Sequence, residues 1–153
     1  MEYPAFANTS VSQCAFYRRT CGLPACVDPT ADRIILKAGV VGAITMPDRF
    51  GQFVRDDMRF RGAALGPVIA HIRSRRWTFL CRPDLPTDIH LFAELMRLDI
   101  CVAPFGADIA LPSPSDARTP RRAWVIPPRD TFRPSGAVLL AAVRARTTRK
   151  NCR

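Results

Sequence analysis

The alternation of apolar and polar positions sharpens at residue 33. Before it, residues 1–32 carry Pro4, Pro24 and Pro29 and little periodicity beyond one short helix in "SQCAFYRRT", so they are expected to form an irregular N-terminal arm. From Arg33 onward, "RIILK" and "VVGAITM" are β-branched runs separated by Ala38-Gly39, the pattern of two strands joined by a tight turn. Pro47 and Asp48 then open a helix, proline suiting its first turn and the carboxylate suiting the positive end of its dipole. Phe50, Phe53, Val54 and Met58 form one apolar stripe of that helix, while Arg55, Asp56, Asp57 and Arg59 take the wet side. Gly62 ends it.

The strands "PVIAHI" and "RWTFLC" follow, joined by the turn "RSRR". Side chains repeat every two residues along a strand, so Trp77 and Phe79 share a face and are expected beneath the helices rather than on an open platform. Pro86-Thr87 starts a second helix with Ile89, Phe92 and Met96 along one face; "DICVA" and "ADIAL" read as a hairpin around Pro104-Phe105-Gly106. After the loop "PSPSDARTPR" come the strand "RAWVI", extended "PPRDTFRP", and a final helix capped by Ser135 with Val138, Leu139, Ala142 and Val143 inward. Residues 40 to 103 thus read β, α, β, β, α, β. That order predicts an α+β class with the split βαβ plan of ferredoxin-like and RNA-recognition-motif-like domains, an antiparallel sheet with helices on one face and the other face free. An extra C-terminal hairpin strand and helix would extend or cover the sheet. The division expected is the arm 1–32, one α+β domain over 33–147, and a basic tail over 148–153.

Charge changes this picture most. The 153 residues carry a formal charge of +10 from 23 basic and 13 acidic residues, a field that attracts phosphate-rich or acidic partners. Residues 121–153 hold nine basic residues against the single acid Asp130, the footprint of a nucleic-acid contact. Compositional bias competes with that reading, because 21 of the 23 basic residues are arginine and prolines are frequent, as in GC-rich genomes. Arg73, Arg75 and Arg76 sit at a turn tip, exposed whichever way the strands face. Guanidinium groups suit phosphate oxygens bidentately, and with His71 beside them these three make a candidate phosphate grip. Arg121 and Arg122 form a second cluster, and the two strengthen each other only if they lie on one side of the molecule.

Other chemistry is sparse. Cys14, Cys21, Cys26, Cys81, Cys101 and Cys152 include no C-x-x-C pair, and the histidines are His71 and His90 alone, so no zinc or other metal site and no cofactor is expected. Cys81 and Cys101, inside apolar runs, read as small buried hydrophobes. The chain lacks the phosphate-binding, dinucleotide, zinc-protease and nucleophile-elbow motifs. The N-terminus has neither a basic nor an apolar signal region, and the run Gly136–Val143 falls well short of the ~20 residues that cross a bilayer. A cytoplasmic protein without membrane contact is the expectation.

The stretch "VGAITMPDRFGQFVRDDMRFRGAALGPVIAHIRSRRWTFLCRPDLP" and the later "VAPFGADIALPSPSDARTPRRAWVIPPRD" resemble a group of small actinobacterial proteins similar to the N-terminal primase-polymerase domain of bifunctional DNA primase/polymerases. Members of that group are often labelled a DNA-directed RNA polymerase beta subunit, yet nothing in this chain resembles that enzyme's active-site motifs. The resemblance, over roughly residues 40–135, implies an RNA-recognition-motif-like sheet. Active relatives also need an acid-x-acid pair on a strand, a further acid and a histidine near the nucleotide phosphates. No D-x-D, D-x-E or E-x-D occurs in any expected strand here. The leading expectation is therefore a non-catalytic domain that binds DNA, RNA or nucleotide phosphate. Two alternatives stand beside it: a small regulatory module docking an acidic protein partner, and a nucleotidyltransferase with an atypical metal site at Asp99 and Asp108.

Overall fold

The computed structural model describes residues 9–151, with side chains as far as Thr148; residues 1–8 of the expected arm, and Cys152 and Arg153 of the expected tail, lie outside the described residues. The chain is mixed α+β, with two antiparallel sheets and five helices among the described residues. The part of the expected arm that is described is ordered into elements. Thr9 and Ser12 form a reciprocal cap for α1 (Ser10–Arg19), and β1 (Ala25–Asp28) follows. Asp28 accepts hydrogen bonds from the Thr30 amide (3.0 Å) and hydroxyl (2.6 Å), shaping the turn into β2 (Arg33–Lys37). Then come β3 (Gly42–Pro47), α2 (Asp48–Phe60), β4 (Val68–His71), β5 (Arg76–Cys81), α3 (Ile89–Arg97), β6 (Cys101–Val102), β7 (Asp108–Leu111), α4 (Ser115–Arg118), β8 (Arg122–Ile126) and α5 (Gly136–Asn151).

Five strands run in the order β6-β3-β5-β4-β8, and three others in the order β1-β2-β7, antiparallel at every pairing. The hairpins expected at Ala38-Gly39 and at Pro104–Gly106 do not form. β2 and β3 lie in different sheets, as do β6 and β7, so the Ala38-Gly39 and Pro104–Gly106 links are crossings between sheets. Alternation along a strand shows which face is apolar but not which sheet will cover it.

The central strand β5 is buried along Trp77–Cys81. On one face Trp77, Phe79 and Cys81 join Ile44, Met46 and Val68 beneath α2, α3 and α5, through Val54, Met58, Leu91, Leu95 and Leu139. On the other, Leu80, Ala43 and Ile69 meet Ile34, Leu36, Ile109 and Leu111 of the three-stranded sheet and Tyr17 of α1. The expected free face is thus largely covered, because residues 10–37 and β7 supply a second apolar layer. Trp77 and Phe79 sit under the helices as the alternation predicts, with Trp77 packed so closely on Gly51 that a Cβ there would stand 2.8 Å from the indole.

Three details depart from the periodicity. Asp57, expected on the wet side, is buried and held by Arg61 at 3.0 Å one turn on. In α3 the inward residues are Leu91 and Leu95, while Ile89 and Met96 are exposed, and the helix begins at Ile89 behind an Asp88 cap rather than at Pro86-Thr87. Cys101, expected to be buried, lies on the edge strand β6 and is exposed. Ser135 does cap α5, accepting from the Ala137 amide, and Asp84 reinforces it by accepting from the Gly136 amide (2.6 Å) and the Ser135 hydroxyl (2.5 Å).

One interaction ties α1 to both later parts of the chain. The fully buried Tyr17 hydroxyl donates to the Pro112 carbonyl (2.7 Å) and accepts from the Trp124 indole (3.0 Å). Replacing Tyr17 with phenylalanine removes the partner of both groups in a water-poor site, which costs about 1–3 kcal/mol. A urea titration of Tyr17→Phe should show a lower midpoint with an unchanged slope.

Candidate nucleic-acid interface

The β4–β5 hairpin closes on the pair His71 and Arg76 and leaves Ile72, Arg73, Ser74 and Arg75 as an exposed loop. Arg75 adopts φ 54°, left-handed backbone that disfavours a side chain, and its carbonyl accepts from the Asp48 amide at the start of α2 (2.9 Å). The loop is therefore fastened to a helix, not only to its own strands. On the outer side of β4, β8 pairs with His71 opposite Arg122, and the Ile72 amide donates to the Arg121 carbonyl at 2.9 Å. The two arginine clusters, far apart in sequence, meet at one corner of the five-stranded sheet.

Their members differ in what they hold. Arg76, expected as a ligand grip, turns back: its guanidinium donates to the Asp99 carboxylate (2.8 Å), the Asp99 carbonyl (2.7 Å) and the Thr45 carbonyl (3.4 Å). Asp99 itself stands at φ 59° between α3 and β6. Arg76 thus clamps that turn to the entry of β5. Arg122 lies 3.5 Å from the buried carboxylate of Asp116, whose other oxygen accepts from the Ser113 amide (2.9 Å). Arg73, Arg75 and Arg121 are exposed, with no ion pair or side-chain hydrogen bond among the described residues. They are the members with guanidinium groups open to a ligand.

His71 faces inward. Its Nε2 is 2.8 Å from the Thr78 hydroxyl, which lies 2.8 Å from that of Thr45, giving a chain of polar groups across three strands. Thr45, Thr78 and His71 line a cleft of about 290 Å³ between the sheets, with Ser74, Arg76 and Asp108 at its polar boundary. Burial, then the positive charges of Arg122 and Arg76, hold the imidazole below its ordinary pKa, against a weaker opposing pull from Asp116. His71 is therefore a neutral hydrogen-bonding group rather than a third cation. Two threonines alternating onto one face of otherwise apolar strands were the sequence signal for this cleft.

Asp99 and Asp108, expected at an atypical metal site, pair with cations, as do the helix acids Asp56 and Asp57. Asp99 holds Arg76, Asp108 pairs with Lys37, Asp56 with Arg55 at 3.1 Å, and Asp57 with Arg61. Among the described residues no group of three or more His, Cys, Asp or Glu side chains converges as metal ligands would. Burial pushes the thiols of Cys14, Cys21 and Cys81 up, Cys21 to about 11 and Cys81 to about 12, which leaves them poor nucleophiles at neutral pH. No helix among the described residues is long and apolar enough to cross a membrane. No family model, curated protein or solved structure matches the chain.

The depressed His71 pKa makes a stability prediction. The unfolded imidazole takes up a proton near pH 6.5, whereas the folded one does so only at lower pH. Within that window the unfolded state binds more protons, so stability falls as pH drops through 6.5. Urea unfolding at pH 7.5 and 5.5 should show a loss for the native protein that is smaller in His71→Gln.

Proposed function

We infer that the protein is a non-catalytic, primase-polymerase-like domain that grips the phosphate backbone of a nucleic acid through Arg73, Arg75 and Arg121. The observation that carries this reading is the meeting of the two arginine clusters at one corner. Phosphate contacts dominate sequence-independent affinity for nucleic acids, and guanidinium groups held on a rigid frame suit them. Arg76, Arg122 and His71 act behind that surface as supports.

The order β6-β3-β5-β4 adds weight. With α2 linking β3 to β4 and α3 linking β5 to β6, it agrees with the split βαβ plan of an RNA-recognition-motif-like sheet. The buried positions of Trp77 and Phe79 favour backbone contact over base stacking. The absence of an acid-x-acid pair from the strands, together with the pairing of Asp99 and Asp108 to cations, favours binding over catalysis. In this reading the protein works in the cytoplasm.

The test is affinity for single-stranded and duplex DNA and RNA across a salt series. Replacing Arg73, Arg75 and Arg121 together with alanine should weaken binding and flatten the slope of log affinity against log salt by about 2–3. Undiminished binding by the triple variant would sink the reading, and retention of a stoichiometric acidic protein from nuclease-treated lysate would favour a protein-docking module.

Two single substitutions separate binding from folding. Arg75→Gly relieves left-handed backbone worth about 1 kcal/mol, so thermal stability should hold or rise while affinity falls. Arg76→Ala, by contrast, removes the hydrogen bonds that tie the solvent-exposed Asp99 turn to β5 and should cost about 0.5–1.5 kcal/mol, with affinity changing less than in Arg75→Gly.

A further inference from the structure

Beside the arginine corner, on the side of β2 and α4, lies a second concavity of about 260 Å³ lined by Arg33, Arg121, Arg122, Ser115, Asp116 and Thr119. It belongs to segments far apart in sequence, which the expected site did not link. Two acids temper it. Asp116 sits 3.5 Å from Arg122, with its second oxygen turned to Ser113, and Asp28 reaches Arg33 at a similarly long 3.5 Å. Arg121 faces the cavity with no acid of its own among the described residues, and the Thr119 hydroxyl has no hydrogen-bond partner among them. The Ser115 hydroxyl is occupied, donating to the Asp32 carbonyl at 3.2 Å.

We propose that this cavity seats a phosphomonoester, the terminal phosphate of a nucleic-acid strand or of a nucleotide. The inference rests on the phosphate-binding reading above and gives it an end to hold. Shape distinguishes this cavity from the hairpin tip. A phosphodiester must continue on both sides and offers two non-bridging oxygens, so it suits the convex surface at Arg73 and Arg75. A terminal phosphate has three free oxygens and a charge of about −2 at neutral pH, which suits a concave site whose lining includes Arg33, Arg121 and Arg122. Forked guanidinium donors match such a group bidentately, and Arg121, shared by corner and cavity, would let a strand end enter while its backbone crosses the hairpin.

The experiment compares 5′-phosphorylated with 5′-hydroxyl forms of one short oligonucleotide by fluorescence anisotropy on the full chain. The phosphate should tighten binding about tenfold, the effect of one added charge-assisted contact. Arg33→Gln and Thr119→Val, each checked by circular dichroism and thermal melting, should narrow that gap without weakening the 5′-hydroxyl strand. Equal affinity for the two ends, or a gap that persists in both variants, overturns the proposal while leaving the arginine corner intact. Loss of all arginine-dependent binding to the 5′-hydroxyl strand overturns the backbone reading instead. Competition by a nucleoside monophosphate separates the two sources: a gap abolished by it supports a free nucleotide as ligand, and a gap that resists it supports the end of a strand.

Discussion

The burial of β5 on both faces is the constraint from which the rest of this architecture follows. A strand that presents Trp77, Phe79 and Cys81 to one side and Leu80 to the other cannot be satisfied by a single covering layer. Helices answer one face. The other needs a second sheet, and the chain builds it from segments at opposite ends of the domain, α1, β1 and β2 before β3, and β7 after β6. Tyr17 then closes the arrangement by bonding Pro112 and Trp124, which makes the N-terminal helix part of the core.

Where the second sheet stops covering the first, buried surface turns polar. Thr78 faces the same way as Leu80 and is itself buried, so its hydroxyl needs partners, and it finds them in Thr45 and His71. Two residues nearer the hairpin, the Arg76 side chain reaches out to clamp Asp99. A gradient from apolar to hydrogen-bonded to ionic thus runs along β5 toward the hairpin. Buried polar groups are tolerated when fully paired, and here the pairing also stiffens the base of the loop that carries Arg73 and Arg75.

Much of this was legible in the sequence, and the illegible part has a common cause. Alternation in "RWTFLC" located β5 and the face of Trp77, and the Pro47-Asp48 and Ser135 signals located two helix starts. What alternation lacks is partner identity. It gave β2–β3 and β6–β7 as hairpins because proximity in sequence is the default neighbour, whereas burial on both sides of β5 required those strands to separate. The same gap affected the site. Residue type marked Arg73, Arg75, Arg76, Arg121 and Arg122 as equals, but only the acids they meet in the fold, Asp99 and Asp116, divide them into supports and open groups.

That division bears on whether a charge of +10 means anything beyond composition. Exposed arginines without acid partners are not confined to this corner; Arg59 and Arg129 lie elsewhere on the surface. Exposure alone is therefore weak support for a binding role. What sets the corner apart is its backbone. Arg75 is tied to the amide of Asp48, Ile72 to the carbonyl of Arg121, and both flanking strands belong to the rigid sheet. Binding costs less conformational entropy when the groups that make contact are already held in position. A compositional excess of arginine need not bring such side chains together, whereas here three segments converge to place them at one corner, at the cost of a left-handed residue that glycine would fill more easily.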